Sequence, residues 1–262
     1  MSSVNTELTK LSEWFKSNKL SLNIKKTNYV IFGNKKIPKS LNQFQLSIDG
    51  NILEQVENTK FLGVYIDNKL SWSRHIEHVA LKIAKSLDVM NRVRNVLPYS
   101  ILLTLYSTLV YPYLTYCNII WGCAKPSLLN RLVVLQKRAV RRITSSCYRA
   151  ITGPLFVRLN LLKLSEINKF QIALFIFKYK QHLLFACCLQ YLSVNSTRAY
   201  ITRRNDYFKI LPFRTNIRER CIFISGPRVW NSLPIAIQDS LHLGSFKKEL
   251  IFYFISLYDL NS

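Results

Sequence analysis

The chain has 262 residues and carries 37 Lys and Arg residues against 14 Asp and Glu residues, a formal net charge of +23. Because 49% of the residues are hydrophobic and 13% are aromatic, the composition excludes a disordered basic tail and predicts a folded core. So large a positive charge favours a polyanionic partner, with nucleic acid first and an anionic membrane surface second.

The first 72 residues are predicted to form a helix and a small, mostly antiparallel sheet. Apolar residues recur at helical spacing over residues 4–18 and predict an amphipathic helix. A tight hairpin turn is expected at Asp49-Gly50. Strands are predicted at residues 27–32, 44–48, 52–56 and 59–66.

After Trp72 the apolar period becomes 3.6 and predicts a helical region. The predicted helices are one ending before Pro98, one over 100–121 that bends or breaks at Pro112, and two more over 127–145 and 165–191. From residue 197 basic, aromatic and turn residues prevail and lead to Gly226-Pro227 and Leu233-Pro234, before a closing helix over 245–258. We therefore predict an α+β chain with three parts, namely residues 1–72, 73–195 and 196–262.

The predicted helix over 127–145 has an apolar stripe and an opposite basic face. The cations of this face are Arg131, Lys137, Arg138, Arg141 and Arg142. No acidic residue lies between Asp88 and Glu166, a stretch that also holds Arg94, Arg149 and Lys163. Because no acid is available to pair with these cations, we favour binding to a nucleic-acid backbone over an ordinary solvated face.

A second basic set lies in the last part of the chain, where cations alternate with aromatic rings. Its members are Arg203, Arg204, Tyr207, Phe208, Phe213 and Arg214. Such a set is typical of single-strand binding, and it is equally typical of aromatic packing under a basic surface. Trp230 is predicted to belong to the core.

Two further features bear on compartment and membrane. The six cysteines form no CxxC pair and the N-terminus has no apolar leader, so we expect an intracellular protein, with the nucleus as a candidate compartment. Residues 95–124 carry no charge and are long enough to span a bilayer. Because this stretch contains Pro112 and many polar residues, we prefer a buried helix pair to a membrane-associated protein and expect no membrane partner.

A metal site can be imagined around His75 and His78, which lie three residues apart on one helix face beside Asp67 and Glu77. No second ligand pair stands nearby in the sequence. We therefore interpret these residues as the first turn of a helix and expect no metal.

Several short motifs occur along the chain in a fixed order. They are Trp14-Phe15, the lysine-bearing stretch 18–27, Phe61–Asp67, residues 106–117 with Trp121-Gly122, Leu135–Ile143, Pro212–Thr215 and Gly226–Pro234. In this order they resemble the C-terminal half of the reverse transcriptase of non-LTR (LINE-type, jockey-like) retrotransposons. The resemblance extends from about residue 5 to residue 255.

This resemblance implies the end of a polymerase palm, a helical thumb and a C-terminal segment. Lys26 matches the family's lysine near the triphosphate of the incoming nucleotide, although a solvated turn lysine is the simpler interpretation in this chain. Phe61, Leu62 and Gly63 match the family's primer grip, where a residue without Cβ permits close approach of a phosphate backbone. The alternative for Gly63 is a bulge within a strand.

The resemblance also implies where catalysis would come from. In that family the palm aspartates that hold divalent ions lie upstream of the lysine turn, whereas here about two dozen residues precede the turn and none is Asp. We therefore expect a fragment of an RNA-directed DNA polymerase that binds the backbone of RNA or DNA template and primer but is inactive alone. No catalytic residue is assigned, Mg²⁺ is expected only with the missing palm, and that palm half is a candidate partner. The alternative is a stand-alone, non-catalytic nucleic-acid-binding protein derived from such an element.

Overall fold

The computed structural model describes residues 2–33, 45–184 and 208–258. These residues form two compact units, Met1–His75 and Ile76–Ser262. The predicted three-part division stays a prediction, because its second boundary, at residue 195, lies outside the described residues.

The described residues of the first unit form helix α1, a 3₁₀ turn at Ile24–Lys26 and six short strands. Strand β1 pairs in parallel with β4, while β2 with β3 and β5 with β6 form antiparallel pairs. This arrangement confirms a helix with a small, mostly antiparallel set of strands. The elements are α1 (Ser2–Ser17), β1 (Asn28–Tyr29), β2 (Ser47–Ile48), β3 (Asn51–Ile52), β4 (Glu54–Gln55), β5 (Asn58–Phe61) and β6 (Val64–Asp67).

The predicted hairpin turn at Asp49-Gly50 is confirmed. Both residues have positive φ, 49° and 74°, which is the geometry of a type I′ turn. The Asp49 carboxylate also accepts hydrogen bonds from the Ser12 hydroxyl at 2.7 Å and the Lys16 ammonium at 2.8 Å. The bond from Lys16 is the main reason that the pKa of Asp49 lies below its usual value.

The described residues of the second unit are mostly helical. Its elements are α2 (Ser73–Val93, whose first turn lies before the boundary), α3 (Tyr99–Leu109), α4 (Tyr111–Thr115), α5 (Asn118–Trp121), α6 (Pro126–Ile143), α7 (Gly153–Arg158), α8 (Leu164–Lys180), α9 (Asn216–Arg220), α10 (Ile222–Asn231), α11 (Ile235–Gln238) and α12 (Leu243–Ser256). Together with the strands of the first unit, these helices confirm the α+β class.

The core of the second unit lies where α6, α8, α10 and α12 bury their apolar faces. The predicted stripe of α6 is buried at Leu132, Leu135, Ala139 and Ile143. In α8 the buried residues recur on most sides of the helix, as its nearly continuous apolar sequence predicted. Rings of three helices stack in the centre, with Phe246 at 4.3 Å from Phe177 and at 5.8 Å from Trp230 between centroids. Trp230 is fully buried, as expected.

Two secondary-structure elements differ from their prediction. The single strand over 59–66 is a hairpin, because Leu62 and Gly63 have φ of 45° and 83° and reverse the chain between β5 and β6. The helix over 165–191 ends at Lys180, where His182 adopts a left-handed conformation with φ of 53°. Residues 185–191 lie outside the described part of the chain.

The helical region around Pro112 is broken twice. The first break is at Val110, close to the predicted position, and the second is at Cys117, whose φ is 50°. None of the described helices has the length and apolar character needed to cross a membrane.

Gly226 and Pro227, a pair more typical of turns, lie inside α10. A Cβ on Gly226 would stand 2.7 Å from Ile176 Cδ1 of α8. The glycine therefore serves the close packing of α10 on α8, which outweighs its low helix propensity.

Candidate nucleic-acid interface

Helix α6 presents the predicted basic face, but the structure divides it into two kinds of cation. Arg131, Lys137 and Arg138 are exposed, whereas Arg141 and Arg142 are half-buried. The cations differ along the length of the helix, because the last turn of α6 lies against α2 and against the segment that follows α6.

The two half-buried arginines are held by backbone carbonyls. Arg141 Nε donates to the carbonyl of Ala150 at 3.0 Å, and its guanidinium lies 6.0 Å from the centroid of the Tyr148 ring. Arg142 Nη1 donates to the carbonyl of Leu87 in α2. A guanidinium has five N–H donors, so each side chain is fixed in place while donors are left for a ligand. Sequence spacing could not reveal contacts between residues so far apart along the chain.

Arg94 joins this end of α6. Arg94, Arg138, Arg141 and Arg142 line one recess of about 300 Å³, together with Tyr148 and two other residues. Burial lowers the pKa of Arg142, the neighbouring charges of Arg94 and Arg138 lower it further, and only Asp88 acts in the opposite sense. The acid-free stretch was the sequence signal that could have added Arg94 to the predicted face.

Arg131 lies apart from this cluster. Its Nη1 is 3.8 Å from Glu77 Oε1, and both side chains are more than half exposed. An exposed pair at this distance contributes little to stability. Arg131 therefore remains available to a ligand, and Glu77 has a cation as its neighbour.

In the first unit, the predicted primer-grip residues form the tip of the β5–β6 hairpin. Phe61 and Leu62 are 61% and 74% exposed, and Gly63 occupies a position whose positive φ favours glycine. Gly63 is thus a turn residue, not the strand bulge considered as an alternative. At the base of the tip, Lys60 and Arg74 lie over the ring of Tyr65, each about 5.5 Å from its centroid.

Lys26 is exposed at the end of the 3₁₀ turn that follows α1. The turn is closed by the backbone bond from Lys26 N to the carbonyl of Asn23 at 3.0 Å. This position agrees with both interpretations of the lysine, the solvated turn residue and the family's triphosphate neighbour.

The carboxylate of Asp67 is hydrogen-bonded to the backbone of the loop that follows it. Its oxygens accept from the backbone N–H groups of Lys69, Ser71 and Trp72 at 2.9–3.1 Å. His75 is buried, and its Nδ1 accepts from the backbone of Tyr65. Across the described ranges, no group of three His, Cys, Asp or Glu residues could hold a metal ion. The described residues therefore do not fit the divalent-metal centre of a polymerase.

The C-terminal basic and aromatic set is only partly described. Arg203, Arg204 and Tyr207 lie outside the described residues. Phe208 is buried, with its ring edge-on to Trp230 at 6.4 Å and to Tyr179 at 5.8 Å. Phe208 therefore packs in the core, while Arg214 is exposed.

Sequence reasoning missed Gln136, which organises the interior behind the basic face. Its side chain is 1% exposed. Nε2 donates to the Tyr106 hydroxyl at 3.0 Å and to the carbonyl of Leu162 at 2.9 Å, and Oε1 accepts from the backbone of Leu164 at 2.9 Å. Gln136 thereby joins α3, α6 and the first turn of α8. A polar residue beside the apolar stripe of α6 was the available signal.

More than half of the chain is similar in sequence to RNA-directed DNA polymerases of mobile elements. The jockey enzyme of Drosophila melanogaster is 26% identical over 142 residues, which are 53% of this chain and 15% of that protein. The probable enzyme of transposon BS from the same species is 30% identical over 163 residues, 61% of this chain and 18% of the relative. That of the X-element is 29% identical over 139 residues, 52% and 15%. These matches confirm the resemblance that the motifs predicted.

The matched region spans less than a fifth of each of these relatives. No family model matches the chain. No solved structure matches it either.

Proposed function

We propose that this chain is part of the RNA-directed DNA polymerase of a non-LTR, jockey-like retrotransposon, and that it binds the phosphate backbone of template and primer. The observation that carries the proposal is the cationic end of α6, where exposed Lys137 and Arg138 lie beside the anchored Arg141 and Arg142. No acid intervenes in the sequence between Asp88 and Glu166. The names of the relatives supply RNA and DNA as the polyanions.

Two sites of the first unit take part in this proposal. The exposed tip at Phe61, Leu62 and Gly63 would lie near the primer terminus, and Lys26 would lie near the triphosphate of the incoming nucleotide. Support for the tip comes from its exposure and from the cations of Lys60 and Arg74 at its base.

Catalysis is assigned to another part of such a polymerase. The proposal places the metal-binding aspartates and Mg²⁺ on a palm half that would act together with this chain. We expect this chain alone to incorporate no nucleotide into a primed template. An intracellular location, with the nucleus as candidate compartment, also stays a prediction.

Binding of the full chain to an RNA–DNA hybrid, measured across a salt series, tests the proposal. For each phosphate that a cation neutralises, the slope of log affinity against log salt falls by about 0.9 on duplex DNA. Neutralising Arg131, Lys137 and Arg138 together to Gln is expected to flatten the slope by about 2 to 3 and to weaken binding. The matched control neutralises three exposed lysines elsewhere in the second unit, Lys178, Lys247 and Lys248.

Equal slopes for the two triple variants would contradict the assignment to α6. Absence of salt-dependent binding by the unaltered chain would contradict the proposal itself. The alternative, a stand-alone nucleic-acid-binding protein, predicts the same binding. It differs in one outcome, because addition of a palm half from a related element would then restore no primer extension.

A further inference from the structure

Two recesses lie side by side at the end of α6, and one arginine lines both. The first holds Arg94, Arg138, Arg141 and Arg142 within about 300 Å³. The second, of about 490 Å³, is lined by residues that include four cations, Lys137, Arg141, Arg149 and Lys163, and the segment 150–154. Arg141 is therefore shared by two neighbouring concave sites.

Arg141 and Lys163 are held in place before any ligand binds. Its Nε is bound to the carbonyl of Ala150 at 3.0 Å, and Lys163 lies 3.8 Å from the centroid of the Tyr258 ring. Among the described residues, the guanidinium of Arg141 uses one N–H on the backbone, which leaves others for a ligand. Side chains that are already ordered lose less conformational entropy when a ligand binds.

In the described part of the chain, neither recess is lined by a carboxylate. Asp88 acts electrostatically on Arg142 of the first recess without lining it. Glu166, next to the second recess along the chain, accepts hydrogen bonds from the hydroxyls of Ser165 and Tyr258. Both recesses therefore present donors and positive charge without an internal anion, and guanidinium groups match the oxygens of a phosphate in geometry. Two phosphate sites that share one cation fit two phosphates joined by a short covalent linker better than two independent anions.

We propose that the two recesses bind two near-neighbour phosphates of one nucleic-acid strand. Arg138 and Arg142 serve one phosphate, Lys137 and Arg149 serve the other, and Arg141 lies between them. This inference rests on the proposed nucleic-acid binding and adds the path of the strand and the residues along it.

The test uses the full chain and two single-stranded ligands built from one kind of base. One is a dinucleotide, which carries one phosphate, and the other is a longer homopolymer, which carries several. The variants are Arg138→Gln for the first recess, Arg149→Gln for the second, and the double variant. Both side chains are exposed, so the fold should be kept. Arg158→Gln is the matched control, because this arginine is exposed on α7 and lines neither recess.

On the longer strand, each single variant is expected to flatten the salt slope by about 0.7 and the double variant by about 1.4. On the one-phosphate ligand, where each ligand molecule can fill only one recess, the two effects should no longer add. The Arg158→Gln variant should match the unaltered chain in both series.

Three outcomes separate the inference from the proposed function. Slopes for Arg138→Gln and Arg149→Gln that equal that of the control would overturn the inference while leaving nucleic-acid binding intact. Additive effects on the one-phosphate ligand would also overturn it, because they would indicate two independent anion sites. If the unaltered chain binds no strand at all, the proposed function fails first.

Discussion

Gly122 directly follows α5, in the Trp121-Gly122 pair that forms part of the resemblance, and the structure gives a physical reason for the glycine. A Cβ at this position would lie 2.3 Å from Asn168 Nδ2 and 2.5 Å from the backbone oxygen of Asn118. Real Cβ atoms do not approach other atoms so closely. The Gly122→Ala variant must therefore displace both the Asn168 side chain and a backbone carbonyl.

The expected cost follows from what these atoms do. Asn168 Nδ2 donates to the Asn118 carbonyl at 3.1 Å and to Asn118 Oδ1 at 3.0 Å, and Asn118 is fully buried. Forcing an extra carbon into a packed site costs about 1–3 kcal/mol. Leaving a buried polar group without its partner costs about 1–3 kcal/mol more. We expect Gly122→Ala to lower the free energy of unfolding by about 2–6 kcal/mol.

Urea unfolding of Gly122→Ala, Asn168→Ala and the double variant tests this reasoning. Asn168→Ala removes only the amide bonds, so it should cost about 1–3 kcal/mol. The double variant should resemble Gly122→Ala, because those bonds can be lost only once and the clash with the carbonyl persists. Gly244→Ala, where a Cβ meets nothing within 4 Å, is the control and should lose no stability. Strict additivity, or a cost of Gly122→Ala below about 1 kcal/mol, would refute the reasoning.

Three further predictions concern stability and are read by urea unfolding. Gln136→Leu leaves the buried backbone groups that Gln136 satisfies without partners and should cost about 3 kcal/mol or more; a cost below that of a typical surface change would contradict it. Asp67→Ala removes the acceptor of three loop amides and should cost about 1–2 kcal/mol, by analogy with loss of a helix cap; Asn, which keeps one oxygen, should cost less. Burial raises the pKa of Tyr106 above its usual value, so its contribution is complete below about pH 10 and declines as the pH rises further, by up to about 1.4 kcal/mol per pH unit. Tyr106→Phe should remove that part of the alkaline slope.

Local pattern sufficed for the parts of the fold that depend on one helix or one turn. The apolar stripe of α6 and the Asp49-Gly50 turn follow from spacing and from the backbone freedom of glycine, and both are confirmed. The prediction of one strand over 59–66 was wrong because Leu62 adopts a positive φ, which is uncommon for leucine and is not indicated by the local sequence. At Gly226 the local preference of a Gly-Pro pair for turns is overridden by close packing against Ile176 of another helix.

The same limit applies to the candidate interface. Helical spacing identified five cations of α6, but it could not show that Arg141 and Arg142 are anchored by distant carbonyls. It also treated Arg131 as equivalent to the others, whereas Arg131 has Glu77 as a neighbour. Side-chain partners from another element decide which cations are ordered and which are unpaired, and this information is tertiary.

The cluster at the end of α6 concentrates like charge at a stability cost that an anion would remove. Burial and the charges of Arg94 and Arg138 lower the pKa of Arg142, which means that its charged form is less favourable there than in water. An anion bound in this recess would offset part of this positive charge. Inorganic phosphate at ten times its dissociation constant should therefore raise the free energy of unfolding by about 1.4 kcal/mol. The gain should shrink in Arg94→Gln, which loses one lining cation, and persist in Lys247→Gln, which lies elsewhere. Equal gains in both variants would show that phosphate acts by general screening and not in the recess.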